Sequence, residues 1–490
     1  MTATGSNLFL SGEFTPVRSE LTEFDLPVTG VLPDQLSGRY LRNGPNPVAD
    51  LDPDTYNWFT GDGMVHGIAL DGGRARWYRN RWVDSPVTAA ALAARGVPRS
   101  APSDAGRSFV HGPGANTNVI GFGGRTLALV EAGLACQELS TELDTVDVCD
   151  FGGTVRSGFT AHPLEDPETG ELHAISYHFG LGDRVRYTVI GRDGRARREV
   201  DITVGGSPMM HSFSLTASSV VIYDLPVVFD PRQAAALTVA RPLRPLARLA
   251  LGAIAGRVQL PHATGRRIPA NPAGRLPYRW DPGYRARVGV MPREGRDEDV
   301  RWIDVDPCYV YHSLNAYDDD GDVVVDLVVH QRTFDRDLTG PTEGHPRLER
   351  WRLDPAAGTC SRTPLDDTEV EFPRGDERFT GRAHSTGWMV ATGDGGASRL
   401  FSDRLIRVGH DGSAATVRAF GESSSVGEFV FVPRSPDASE GDGFVMGLVS
   451  DLAEDTTRLV VLDAQTLEDV AAVALPQRVP PGFHGNWLPD

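Results

Sequence analysis

Short strand-like runs recur along the whole chain, and tight-turn signals separate them. Residues 126–131, 220–225, 323–330, 444–449 and 458–462 are rich in β-branched and aliphatic side chains. Asp71-Gly72-Gly73, Asp193-Gly194, Asp320-Gly321, Asp411-Gly412 and Asp442-Gly443 supply the turns. Asp-Gly pairs accept the left-handed backbone of two-residue hairpin loops, so this punctuation predicts antiparallel hairpins. Sustained over 490 residues, the pattern is too long for a sandwich and points to an all-β closed architecture, a β-propeller. No strict repeat marks its blades. Residues 1–490 are read as a single domain.

Two stretches break the β texture. Residues 88–95 are Ala- and Leu-rich and predict a short helix. In residues 231–260, Arg232, Arg241, Arg244, Arg248 and Arg257 alternate with Leu237, Leu243, Leu246, Leu249, Leu251 and Ile254. Pro242 and Pro245 are expected to interrupt any helix there. Arginines beside apolar residues are the pattern of an interfacial segment. Residues 231–260 are therefore a candidate membrane-contacting cap segment. The plainer reading is a helix packed on the propeller. Residues 265–276 are expected to be a loop.

Charge and composition exclude several classes. The net charge of −18 argues against a nucleic-acid partner. No lysine occurs among the 48 basic residues, which excludes Schiff-base catalysis and a P-loop lysine. Four cysteines without CxxC spacing suit a reduced, cytoplasmic protein. No signal peptide or membrane span is visible, and nothing points to a protein partner.

Four of the 13 histidines sit in distinctive apolar or turn settings. They are His162 in Gly-Phe-Thr-Ala-His-Pro, His211 in Pro-Met-Met-His-Ser-Phe, His312 in Tyr-Val-Tyr-His-Ser-Leu and His484 in Pro-Pro-Gly-Phe-His-Gly. They are too far apart in sequence for a local metal loop. A propeller removes that difficulty, because the inner strand of each blade faces one axis. Four imidazoles without a cysteine partner point to a redox-active transition metal, and iron fits best.

At these histidines the chain resembles the carotenoid cleavage oxygenase family, and most of all its actinobacterial members. Further blocks carry the resemblance in order: residues 42–47 (Arg-Asn-Gly-Pro-Asn-Pro), 58–67 (Trp-Phe-Thr-Gly-Asp-Gly-Met-Val-His-Gly), 116–119 (Asn-Thr-Asn-Val), 127–133 (Leu-Ala-Leu-Val-Glu-Ala-Gly), 371–374 (Glu-Phe-Pro-Arg) and 427–433 (Gly-Glu-Phe-Val-Phe-Val-Pro). The resemblance implies a seven-bladed propeller with a loop and helix cap over one face. It implies one Fe(II) per subunit held by His162, His211, His312 and His484, with O2 as co-substrate. It assigns Glu131, Glu371 and Glu428 to steady His211, His312 and His484, and leaves His162 without a carboxylate.

The implied substrate is a lipophilic polyene, a carotenoid or apocarotenoid, cut at a conjugated C=C bond into two carbonyl products. Because the family draws such substrates from a bilayer, the resemblance also implies that residues 231–260 lie at the tunnel mouth in peripheral contact with a membrane. Phe59, Val130, Met209, Met210, Tyr311, Phe372 and Phe483 flank the ligands or occupy motif positions, and are the candidates for the tunnel lining. His330 is a further lining candidate, whereas His66 is read as structural. The main alternative is cleavage of a phenolic stilbene. Lignostilbene-type members tend to place a lysine just before the glutamate of the Leu-Ala-Leu-x-Glu block; here that residue is Val130, which disfavours the alternative. A propeller serving only as a binding scaffold is the remote alternative.

Overall fold

The computed structural model describes residues 7–104, 106–156, 158–265, 267, 275–393, 400–409 and 415–490. The loop expected over 265–276 and the Asp411-Gly412 turn fall largely outside these residues. The fold is mostly β, and its sheets are built from antiparallel neighbours that follow one another along the chain. One sheet holds Asn118–Phe122, Arg125–Leu129, Cys136–Leu139 and Thr145–Cys149; the next holds Leu164–Glu165, Leu172–Ser176, Arg184–Ile190 and Ala196–Thr203. The expected hairpin turns recur. Asp71 and Arg74 pair across Gly72 and Gly73, and Asp319 and Asp322 pair across Asp320-Gly321.

Strand exchange ties the two ends of the chain together. The last strand, Gly485–Pro489, pairs with Gly38–Pro45 near the start. Reciprocally, Val28–Gly30 joins the sheet of Ser424–Pro433, Gly443–Asp451, Thr456–Asp463 and Asp469–Ala474. The exchange satisfies backbone groups on what would otherwise be open edges. A seven-stranded sheet runs from Ser313–Asp319 to Thr416–Ala419. Its 16-residue strand Thr359–Arg374 pairs with Arg347–Asp354 through its first part and with Thr386–Thr392 through its last.

The helices depart from expectation in one respect. Pro86–Ala94 is a helix capped by Ser85, whose side chain accepts from the Thr88 N–H, as its Ala-rich composition predicts. Within residues 231–260, Pro231–Thr238 and Arg244–Ile254 are both α-helices. Pro245 does not interrupt the second helix. It lies in the first turn, where the missing N–H has no intrahelical acceptor to lose. No helix among the described residues is long and apolar enough to cross a membrane.

Candidate metal centre

Each of the four singled-out histidines lies one or two residues before a short strand at the edge of its sheet. His162 precedes Leu164–Glu165, His211 precedes Phe213–Leu215, His312 precedes Ser313–Asp319, and His484 precedes Gly485–Pro489. Backbone bonds hold these turns. The His484 N–H donates to the Thr117 carbonyl at 3.1 Å, and its own carbonyl accepts from Asn43 N–H at 2.9 Å. The Val328 N–H donates to the His312 carbonyl at 3.0 Å.

The asparagine-rich block supplies much of the remaining glue. Asn118 Nδ2 donates to the Ala161 carbonyl, beside His162, at 3.0 Å. Asn116 Nδ2 donates to the carbonyls of Phe59 and Gly61. Buried Arg42 donates to the Pro480 carbonyl at 2.6 Å and anchors the loop that carries His484.

The four imidazoles converge. One nitrogen from each lies within 4.8 Å of the others. Metal–nitrogen bonds of about 2.0–2.1 Å put ligands on opposite sides of one ion about 4.2 Å apart, so the spread suits a single ion. Three of the rings are oriented by carboxylates. His211 Nδ1 donates to Glu131 at 2.9 Å, His312 Nδ1 to Glu371 at 2.6 Å, and His484 Nδ1 to Glu428 at 2.9 Å. An ionised carboxylate only accepts, so each Nδ1 carries the proton and each Nε2 keeps its lone pair. The Nε2 atoms of His162 and His312 are buried without a hydrogen-bond partner.

Burial disfavours the charged form of two of these rings, His162 and His312. It lowers the His162 pKa well below the ordinary value, and the neighbouring His211, His484 and His312 add to the effect. Burial likewise lowers His312 to about 4, against the pull of Glu371. Four converging imidazole nitrogens, two of them buried without a hydrogen-bond partner, form a donor set that fits a divalent transition metal.

The three glutamates sit where the backbone leaves regular pairing. Glu131 follows the strand Arg125–Leu129 and precedes Ala132 and Gly133, with φ of 60° and 91°. The expected strand over 126–131 thus ends two residues early. Glu371 lies at a register shift, and the next residue, Phe372, has φ of 52°. Glu428 lies at another shift, between Val426 and Phe429. Bulges re-aim a side chain, and here they turn carboxylates inward from strands that otherwise bury apolar groups.

The carboxylates differ in their further partners. Glu371 also accepts from His330 Nε2 at 2.6 Å and from the Phe372 N–H at 2.7 Å. Burial works against its charge, but His312 and His330 hold its pKa below the carboxylate range. Glu428 is opposed by burial too, yet Arg374, His484 and the Gly485 N–H bring it to about 2. Arg374 donates to Glu428 at 3.4 Å, to the Gly485 carbonyl at 3.2 Å and to Asn486 at 2.7 Å. The sequence showed Arg374 only as part of a motif; its adjacency to Glu371-Phe372-Pro373 was the sole available signal.

A cavity of about 510 Å³ ends at His211, His312 and His484. Phe59, Tyr311, Phe372 and Phe483 line it, with Trp58 and Phe401 beside them. His330 lines it too. Three expected lining residues do not. Val130 packs against Val65, Val83 and Ala115 in a separate core cluster. Met209 and Met210 are buried in the core around Phe213 and Tyr309, and the Met209 carbonyl accepts from the Tyr309 hydroxyl. Sequence adjacency to a ligand or motif glutamate does not specify which way a neighbouring side chain faces, because alternate residues of an extended chain point to opposite sides.

Residues 231–260 are also absent from this cavity's walls; away from the histidines these include Asn7, Phe9, Asp54, Asp337, Thr342, Thr392, Gly393 and Leu400. The segment instead packs beside Gly180, Gly182 and Gly206, so the expected position at the tunnel mouth is not found. His66 is buried with Nδ1 2.9 Å from the Tyr78 hydroxyl, a structural placement.

Known proteins extend these observations. The chain belongs to the carotenoid oxygenase family; the family profile described as Retinal pigment epithelial membrane protein matches residues 14–489. Among its relatives, the carotenoid cleavage oxygenase of Mycobacterium tuberculosis is 52% identical over 498 residues, covering 99% of this chain and 98% of the relative. The carotenoid 9,10(9′,10′)-cleavage dioxygenase 1 of Arabidopsis thaliana is 29% identical over 530 residues, covering 98% and 90%. The crystal structure of Pseudomonas brassicacearum lignostilbene dioxygenase superposes with a TM-score of 0.81 at 28% identity, covering 98% of each chain. The protein is therefore an oxygenase of this family.

Proposed function

We propose that this protein is an Fe(II)-dependent dioxygenase that cleaves one conjugated C=C bond of a carotenoid or apocarotenoid with O2, giving two carbonyl products. The observation that carries the reading is the position of the four imidazoles at the inner end of an aromatic cavity. His162, His211, His312 and His484 would hold one ion per chain. When bound, iron supplies the redox capacity to activate O2 toward an alkene.

The chain's own residues do the rest. Glu131, Glu371 and Glu428 fix ring angle and tautomer, so that each Nε2 presents a lone pair. Phe59, Phe372 and Phe483 exclude water and offer flat apolar walls along which a polyene buries its length, at about 25 cal/mol per Å². Tyr311 packs edge-on against His211, with ring centroids 5.4 Å apart, and limits where the reacting bond can sit. No general acid or base is needed.

The sheet order supports seven blades within a single domain, if the long strand Thr359–Arg374 is shared between two of them. Residues 231–260 would form a cap element that touches a membrane from the cytoplasmic side. Leu243, Leu246 and Leu249 are 56%, 68% and 73% exposed, beside Arg241, Arg244 and Arg248, a composition that suits an anionic interface.

A phenolic stilbene is the second reading, favoured by the likeness to the lignostilbene dioxygenase. Val130 does not decide between them, since its side chain packs away from the cavity. The deciding experiment offers carotenoids, apocarotenals and 4-hydroxystilbenes to the Fe(II)-loaded protein under ¹⁸O2. Label in both carbonyl products of a polyene, with a higher kcat/KM than for the stilbene, is expected. Preferential stilbene cleavage would replace the substrate assignment, and absence of any cleavage would refute the enzymatic one.

A further inference from the structure

The histidine cluster is bordered by two cavities, one lined mainly by apolar surface and the other by polar and apolar surface in equal measure. The aromatic cavity touches His211, His312 and His484 but not His162. A second cavity, of about 720 Å³, touches His162, His312 and His484 but not His211. Its walls carry Asn118, Thr126, Glu165, Ser212, Arg374 and Asn486. His312, His484 and Phe372 are common to both linings.

The two sides also differ in how firmly their imidazoles are held. His211 is clamped by Glu131 and faces the aromatic cavity alone. His162 faces the polar cavity alone, and its ring makes no hydrogen bond to a carboxylate among the described residues. Its orientation rests on Pro163 and on backbone contacts such as Asn118 to Ala161.

We infer that the polar cavity is the route by which a hydrated divalent metal ion reaches the four histidines, with His162 as the ligand that admits it. The inference rests on the metal reading of the cluster. A divalent ion carries a water shell that aromatic rings cannot replace, so passage past Trp58, Phe59, Tyr311 and Phe483 is opposed by desolvation, although Asp54, Asp337 and Glu369 also line that cavity. The polar cavity offers amide, hydroxyl and carboxylate oxygens in place of those waters.

Its arginines do not form a bare repulsive field. Arg374 is paired with Glu428 and Glu377, Arg378 with Asp376, and Arg125 with Glu138, while Arg39 donates to Thr126 and the Thr141 carbonyl. Arrival exchanges bound waters for Nε2 lone pairs, which the carboxylate contacts to Nδ1 leave free on His211, His312 and His484. A ring without a carboxylate clamp can turn aside and return, whereas the three clamped rings stay preset.

Stopped-flow uptake of Co(II) by the metal-free protein, followed by its visible absorbance, tests the route. Ile120→Trp and Thr380→Trp, both at walls of the polar cavity, should slow uptake at least about tenfold while leaving the final stoichiometry at one. Leu400→Trp, in the aromatic cavity, should load at the wild-type rate. So should the wild-type protein saturated beforehand with a long-chain apocarotenal. Wild-type uptake rates in both polar-cavity variants, or slowed uptake behind the apocarotenal, would overturn the route and leave the metal site standing. A metal-free protein that takes up no Co(II) even at equilibrium would overturn the site, and the route with it.

Discussion

Glu371 Oε2 lies 2.6 Å from Nδ1 of His312, a residue 59 positions earlier in the chain. The contact exists because the long strand Thr359–Arg374 changes partners at Glu371, and the positive φ of Phe372 swings the carboxylate inward. The same carboxylate accepts from His330 at 2.6 Å. One buried carboxylate thus orients one of the four converging imidazoles and holds His330 in the wall of the aromatic cavity.

Replacing the carboxylates by amides should weaken metal binding unequally. Glu131→Gln, Glu371→Gln and Glu428→Gln each keep an acceptor and lose the charge, and such losses are typically about 10–100-fold in affinity. Glu371→Gln should lie at the upper end, because the two imidazoles bond to different oxygens of Glu371 and the amide NH2 that replaces one of them cannot accept. Titration of metal-free variants with Co(II) checks the order. Equal, undiminished affinity in all three would show that the clamps do not matter.

Removing any single histidine of the four should abolish turnover. His162→Ala, His211→Ala, His312→Ala and His484→Ala each delete one nitrogen from a cluster spanning 4.8 Å. Iron content of the purified variants, measured together with polyene cleavage, is the check; a variant that kept both would remove that residue from the ligand set.

The exposed leucines of the second long helix should govern membrane binding. Four of the ten large hydrophobic residues exposed among those described fall in residues 231–260. Leu251 is unsuited to the test, since it packs against the core. A Leu243→Ser, Leu246→Ser, Leu249→Ser variant should lose most of its flotation with anionic liposomes. Flotation equal to wild type would leave the helix as a plain cap.

Buried histidines away from the centre should make the fold acid-labile. Burial lowers His173 from 6.5 to about 4 and His178 to about 3. Between those values and 6.5 the unfolded chain binds protons that the folded chain refuses, so stability rises with pH and is lost as pH falls from about 6.5 toward 4. For His173 alone the full loss is on the order of 3 kcal/mol, at about 1.4 kcal/mol per pKa unit. Thermal melts from pH 7.5 to 4.5 should show this slope, and His173→Gln should flatten it. A Tm independent of pH over that range would contradict it.

Much of this was legible before any coordinates. Asp-Gly turns and aliphatic runs predict hairpins because they act over a few residues, and local backbone preference is enough to place them. The four histidines stood out from the other nine by their Pro, Gly and aromatic neighbours, and the motif order identified the glutamates. Local sequence misled wherever direction mattered. Val130, Met209 and Met210 adjoin motif residues or ligands, yet their side chains pack into the core. Pro245 read as a helix breaker because its place in the first turn could not be seen.

What depends on residue type and short-range pattern was thus determined by the sequence: a β-rich chain and four distinctive histidines, with three candidate carboxylates implied by the motifs' resemblance. Relationships that need a third dimension were decided by the tertiary structure. It paired Glu371 with His330 as well as His312, joined Arg374 to Glu428, separated an aromatic from a polar approach to the histidines, and moved residues 231–260 away from the cavity. The physical reason is that strand pairing between distant segments, and the bulges that interrupt it, set where each side chain points, and neither is written in any short stretch of residues.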